Sequence, residues 1–224
     1  MKMERAIEML RSKEGEYMIA IIDYGVGNLF SLTASLKYLG APALVTGNPD
    51  EIRQADQIIL PGVGAFGDAM EKLKQTGLDK VVIEEAATGK PLLGICLGMQ
   101  MLLDGSDEYG NHEGLCLIPG YVTSLVPYLD GELKVPHIGW NSLDFKEGEP
   151  LFKHIKQGDY VYYVHSYFAT RCEPHVIATS EYKIPVTGAL RRGNVMGTQF
   201  HPEKSGDVGL NILRAFVEMR KETL

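Results

Sequence analysis

An α/β fold is what this sequence predicts, with a mostly parallel central sheet flanked by helices and an antiparallel or mixed extension in its second half. Two observations predict it. In the first half, short apolar runs lead through glycine-bearing turns into helical periodicity, and this happens repeatedly; such alternation gives a parallel sheet with helices on both faces. In the second half, strand-like segments follow one another with Gly, Pro and charged residues between them, which suits antiparallel pairing.

The first strand is Met18-Ile19-Ala20-Ile21-Ile22-Asp23, and the folded domain is expected to begin there, leaving residues 1–17 as an N-terminal extension and residues 18–224 as one domain. Leu29, Leu32, Leu36 and Leu39 then share one helical face, and Gly40 stands where a left-handed C-terminal cap is used. Gln57 to Leu60 forms the next strand, leading through Pro61-Gly62-Val63-Gly64 into a helix. Pro91 to Ile95 leads into another helix that starts near Leu97. The second half offers Tyr160 to Val164, Val176 to Ser180, Val186 to Leu190 and Val195 to Phe200 as strands of the extension. Ser205 is placed to cap a closing helix whose Gly209, Ile212, Leu213, Phe216 and Val217 lie along one side. No repeat, low-complexity tract or linker interrupts the chain.

Composition excludes several classes of function. A chain of 224 residues suits one large domain or two small ones and buries about 70 to 75% of its unfolded surface, so it needs no disulfide or structural metal. Cys96, Cys116 and Cys172 cannot all pair with one another, which fits a reducing compartment, and a cytoplasmic location is expected. With 22 Lys and Arg against 29 Asp and Glu, the net charge of −7 argues against nucleic acid as a partner. The apolar runs fall far short of the roughly 20 residues of a membrane span, so no membrane partner is expected. Residues 1–17 lack the apolar core of a secretory signal.

Gly94-Ile95-Cys96-Leu97-Gly98 is a G-x-C-x-G sequence between an apolar strand and a helix, the thiol counterpart of a nucleophile elbow. Small flanking residues allow a sharp turn that projects the sulfur, and the following helix start favours a thiolate. Those residues fit a buried cysteine in a tight turn equally well. His201-Pro202-Glu203 supplies a base: residues two apart on an extended segment point to the same side, so Glu203 can orient the His201 imidazole toward Cys96. A lone His-x-Glu is more often a solvated strand end, but this one follows an apolar strand directly.

Other features carry less. Gly25-Val26-Gly27 lacks the third glycine of a dinucleotide fingerprint, since Phe30 stands at that position. His112, His137, His154, His165 and His175 show no metal-ligand spacing, so no metal and no cofactor is expected. Cys116 and Cys172 read as packing residues. Tyr160, Tyr162 and Tyr163 fall on both faces of one strand, which suits packing better than a base-stacking platform.

With its Cys in G-x-C-x-G and its later His-Pro-Glu, the sequence resembles the class I glutamine amidotransferases. The likeness extends over Asp23-Tyr24-Gly25-Val26-Gly27-Asn28-Leu29, Pro61-Gly62-Val63-Gly64-Ala65-Phe66, Cys96-Leu97-Gly98-Met99-Gln100, Pro136-His137-Ile138-Gly139-Trp140-Asn141, His165-Ser166-Tyr167 and Gln199-Phe200-His201-Pro202-Glu203-Lys204-Ser205. The whole set in this order resembles the branch formed by the glutaminase subunits of imidazole glycerol phosphate synthases.

That resemblance implies glutamine hydrolysis by a triad of Cys96, His201 and Glu203. It implies ammonia delivery to a cyclase subunit with a (βα)₈ barrel, which makes imidazole glycerol phosphate and aminoimidazole carboxamide ribotide in histidine biosynthesis. Backbone NH groups of Leu97 and of the Gly62-Val63 peptide are the implied oxyanion donors. Gln100, Ser166 and Tyr167 are the implied glutamine contacts, the last two mainly through their backbone, and Asn28, Trp140 and Lys204 the implied cyclase contacts. Departures are few: Asp104 replaces a common glutamate, Gly206 a frequent serine, and residues 1–17 have no counterpart. The rival readings are a glutaminase feeding another synthase, such as that of pyridoxal phosphate, and a noncatalytic binding subunit.

Overall fold

The computed structural model describes residues 17–219. The first half is a run of β1 (Ile19–Ile22), α1 (Leu29–Tyr38), β2 (Ala43–Thr46), α2 (Pro49–Gln54), β3 (Gln57–Gly62), α3 (Phe66–Gln75), α4 (Leu78–Ala87), β4 (Leu92–Cys96) and α5 (Leu97–Met101). Short elements follow: β5 (Gly105–Ser106), β6 (His112–Glu113), β7 (Tyr121–Ser124), α6 (Val126–Leu129), β8 (His137–Ser142) and β9 (Asp144–Phe145). The last third holds β10 (Tyr160–His165), β11 (Tyr167–Thr170), β12 (Val176–Tyr182), β13 (Ile184–Arg192), β14 (Val195–Thr198) and α7 (Gly206–Val217).

The main sheet has eight strands in the order β2-β1-β3-β4-β14-β13-β12-β9. Its first five strands pair in parallel, and β14-β13-β12-β9 pair antiparallel. This is the mixed sheet expected from the sequence. β3 and β4 are buried along their whole length, as strands covered on both faces must be. Alternate residues feed two cores. Ile58, Leu60 and Leu92 pack with Phe66, Met70 and Leu73 of α3, whereas Ile59, Leu93 and Ile95 pack with Leu32 and Leu36 of α1 and Phe216 of α7.

Gly40 adopts the left-handed conformation (φ 69°) just beyond α1, as the leucine spacing implied. Three expectations need correction. Tyr160–His165 does not extend the main sheet; it pairs antiparallel with β8 in a two-stranded sheet of its own. Ser205 stands at the N-cap of α7, yet its hydroxyl donates to the His201 carbonyl at 2.6 Å and accepts from Tyr162 N at 2.9 Å, tying β10 to the residues after β14. Cys116 is exposed, with φ 53°, so it is no packing residue, while Cys172 is buried.

The expected N-terminal extension, residues 1–17, lies outside the described residues except for Tyr17. Tyr17 is buried against the core, and its hydroxyl donates to the Val217 carbonyl at 3.3 Å.

The topology matters most at β14. This strand returns beside β4 in parallel, with Thr198 opposite Ile95. Residues following each strand therefore emerge together at the same sheet edge, where the carboxyl ends of parallel strands commonly form a binding crevice.

Candidate active site

Cys96 ends β4 and precedes α5 with φ 55° and ψ −110°, a conformation that costs a non-glycine residue about 1 to 3 kcal/mol. Its neighbours hold it there by close packing. A Cβ on Gly98 would lie 1.9 Å from the Leu60 carbonyl oxygen, and one on Gly62 would lie 2.6 Å from Gly98 N. A Cβ on Gly94 would meet Gly98 C and O at 2.7 Å. These glycines let α5 press onto β3 and β4, so the turn between them is as sharp as an elbow requires. Cys96 is 8% exposed and lines a cavity.

His201 follows β14, is 2% exposed, and has its backbone NH bonded to the Tyr162 carbonyl at 2.9 Å. Its Nδ1 lies 2.8 Å from Glu203 Oε1. Extended-chain alternation does not bring these two together, contrary to the sequence reading. Pro202–Lys204 forms a 3₁₀ turn, with Pro202 in its first turn where the missing NH costs nothing, and the turn carries the carboxylate back to the ring. Burial disfavours the charged imidazole, but Cys96 and Glu203 outweigh it and push His201 up to about 9.

That shift predicts a stability effect of definite sign. A group whose folded pKa lies above its unfolded value of about 6.5 contributes fully below that value and loses its contribution as pH rises through the folded pKa. The melting-temperature gap between wild type and His201→Asn is therefore expected to be widest near pH 6 and to narrow toward about pH 9.5. A gap that widens with pH contradicts the assignment.

A cavity of about 400 Å³ brings together Cys96, His201 and Gln100 with Val63, Leu97, Ser166, Tyr167 and Lys204. Gly62, Asn28 and Glu203 line a separate space of about 10 Å³ that also touches His201 and Val63. Glu203 Oε2 is buried there without a hydrogen-bond partner. Trp140 lies outside the cavity on β8, 55% exposed, with its ring centroid 6.0 Å from that of Tyr162. Lys204 is also exposed, and Trp140 reaches within 3.9 Å of a Cβ built on Gly206, two residues further along the chain.

Two residues went unassigned in the sequence reading. Gln199 is fully buried; its Nε2 lies 3.7 Å from Cys96 Sγ and its Oε1 accepts from Gln100 Nε2 at 2.9 Å. Its place two residues before His201 was the available signal. Among the described residues, Glu108 is the one acid lining the cavity; its Oε2 accepts from Phe66 N at 2.7 Å, at the start of α3. Burial pushes its carboxyl up, partly countered by that backbone bond. Nothing local in the sequence distinguishes Glu108 from a surface acid. Tyr24, in the first of the quoted motifs, donates its hydroxyl to the Pro61 carbonyl at 2.8 Å and so braces the residue before Gly62. Burial and the nearby Cys96 sulfur raise its phenol.

The profile described as "Glutamine amidotransferase class-I" matches residues 20–219, nearly the whole described chain and every cavity residue named above. The chain belongs to the class I glutamine amidotransferase family. Among curated relatives, "Imidazole glycerol phosphate synthase subunit HisH" of Listeria monocytogenes serotype 4a (strain HCC23) is 52% identical over 202 residues, covering 90% of this chain and 96% of that one. The protein of the same name from Methanosarcina acetivorans is 51% identical over 203 residues, covering 90% and 98%. Among solved structures, PurLQS from Thermotoga maritima superposes with a TM-score of 0.69 at 17% identity, covering 89% of this chain and 97% of that one. At that identity the likeness supports the amidotransferase fold alone. Among the described residues, no cluster of His, Cys, Asp and Glu could hold a metal, and no helix is long and apolar enough to cross a membrane.

Proposed function

We propose that this class I amidotransferase hydrolyses glutamine at Cys96 and passes the ammonia to the cyclase subunit of an imidazole glycerol phosphate synthase, in histidine biosynthesis. The observation that carries the chemistry is the cavity in which the strained Cys96 and the Glu203-bonded His201 converge. The half-identical relatives carry the synthase assignment.

Cys96 Sγ attacks the side-chain amide carbon of glutamine, and His201 holds the thiol proton. The carbonyl oxygen becomes an oxyanion, met by the NH groups of Leu97 and of the Gly62-Val63 peptide. His201 then protonates the departing amine, releasing ammonia and leaving a γ-glutamyl thioester. Water, deprotonated by His201, attacks the thioester and frees glutamate and Cys96. Glu203 keeps the imidazole oriented and balances its charge. Gln100 and the backbone of Ser166 and Tyr167 hold the amino-acid end of the substrate, and Glu108 offers a carboxylate to its ammonium group. No cofactor enters these steps.

The cyclase partner is a (βα)₈ barrel that converts the ammonia and a phosphoribosyl aminoimidazole carboxamide intermediate to imidazole glycerol phosphate and aminoimidazole carboxamide ribotide. It docks on the face bearing Trp140, Lys204 and the end of α1 near Asn28, where Phe30 is 85% exposed. The three free cysteines suit the cytoplasm.

Exposed aromatic anchors dominate such contacts, so Trp140→Ala is expected to weaken assembly by about 30-fold. Titration calorimetry with the cyclase measures it, and an unchanged Kd removes Trp140 from the interface. The function itself is tested by glutamine turnover in the free chain, the complex, and the complex with acceptor. A stepwise rise is expected; one rate in all three contradicts coupled delivery.

A further inference from the structure

Outside the triad, two buried histidines form a hydrogen-bonded pair. His137 opens β8 and His165 closes β10, and they are cross-strand partners. His137 Nδ1 lies 3.0 Å from His165 Nε2, and His165 Nδ1 lies 2.9 Å from the Tyr167 carbonyl oxygen. At the other end, Asn141 Nδ2 lies 3.3 Å from His137 Nε2 and donates to the Glu181 carbonyl at 2.9 Å. Asn141 Oδ1 accepts from Ser142 N at 2.9 Å, which fixes the orientation of the amide.

These partners leave one arrangement of protons for neutral rings. A carbonyl only accepts, so His165 carries its hydrogen on Nδ1 and accepts on Nε2. His137 must then donate from Nδ1 and accept from Asn141 on Nε2. His137 is stacked between Tyr182 and Tyr163, with centroid distances of 4.0 Å and 4.7 Å. Burial pushes both imidazoles down, His137 to about 4 and His165 to about 3, the latter helped by His137 and His201 against the Tyr167 carbonyl.

The chain of bonds continues into the cavity. The Tyr167 carbonyl also accepts from Gln100 Nε2 at 2.9 Å, and the second hydrogen of that amide goes to Gln199 Oε1. Both Gln100 donors are engaged inside the protein, so Gln100 meets a ligand through its carbonyl Oε1. Turning the Tyr167 carbonyl would release Gln100 and disturb the adjoining Ser166, whose own carbonyl accepts from Leu125 N at 2.9 Å.

We propose that His137 and His165 are positioning residues for the glutamine site: locked as a neutral donor chain, they hold the Tyr167 carbonyl and thereby aim the Gln100 amide and the Ser166-Tyr167 backbone at the substrate. This rests on the reading that glutamine occupies the cavity. A merely structural pair would join β8 to β10 without setting substrate affinity.

Two measurements test it. Long-range ¹H–¹⁵N correlation spectra of the full chain at pH 7 are expected to show both rings neutral and protonated on Nδ1. A charged ring, or His165 protonated on Nε2, overturns the proposal without reference to activity. In glutamine turnover with cyclase and acceptor, His165→Phe, which keeps an aromatic ring but loses the donor, is expected to raise KM roughly tenfold, with kcat changed by less than about threefold. His165→Asn, whose amide can replace Nδ1 as donor, is expected to restore most of that KM. An unchanged KM in His165→Phe, or a loss confined to kcat, overturns the proposal. Should His165→Phe fail to fold, the tautomers and the His165→Asn KM decide. A wild type that turns over no glutamine fails the functional reading instead, and the tautomers still decide the role of the pair.

Discussion

Cys96→Ala is expected to abolish glutamine-dependent synthesis by the assembled enzyme, by about 10⁴-fold or more, while synthesis supplied with ammonia directly stays unchanged. The mutation removes the sulfur proposed to attack glutamine and leaves the proposed docking face intact. It also relieves no constraint elsewhere, because the elbow is enforced by Gly62, Gly94 and Gly98 and not by the thiol. Product formation with glutamine and with ammonium chloride, compared in one preparation, makes the measurement. Loss of both activities contradicts the division of labour between the subunits.

The second large effect is expected at Gly98. A methyl group there would sit 1.9 Å from the Leu60 carbonyl oxygen and 2.9 Å from its carbon, both backbone atoms that cannot swing aside. Gly98→Ala must therefore lift α5 off β3, carrying Cys96 with it. We expect destabilisation of about 3 kcal/mol or more, a fall in Tm of about 6 to 12 °C, together with loss of glutamine turnover. Gly148→Ala is the control: it has φ 79° but nothing within 4 Å of the added Cβ, so only backbone strain of about 1 to 2 kcal/mol applies. A Gly98→Ala protein that melts with wild type contradicts the packing account of the elbow.

The parts of the fold legible in the sequence are those fixed by local pattern. β1, β3 and β4 are buried on both faces, so each stands out as an apolar run. The end of α1 is marked by Gly40, whose left-handed backbone needs glycine. What stayed hidden depends on partners distant in the chain. β10 looks like any strand, and only its pairing with β8 removes it from the main sheet. A third, four-stranded sheet, β11-β7-β5-β6, includes two-residue strands too short to carry a period. Ser205 fits a cap by residue type, but β10 lies close enough to claim its hydroxyl.

The same division runs through the site. Cys96 and His201 announce themselves through neighbours in sequence, whereas Gln199, Glu108 and the His137–His165 pair gain meaning only from bonds spanning 28 to 103 positions. The Pro202 turn is intermediate. Its residues pointed to a His–Glu contact, but the contact is made by a 3₁₀ turn and not by strand alternation.

The central claim is that Cys96, alone of the three cysteines, is the nucleophile for glutamine. The protein should be incubated with a diazoketone analogue of glutamine, with and without excess glutamine, and the modified peptides mapped by mass spectrometry. A single adduct on Cys96 that glutamine suppresses, with the exposed Cys116 and the buried Cys172 unlabelled, is the result predicted. Labelling of Cys116 in place of Cys96, or labelling of Cys96 that glutamine does not slow, would contradict it.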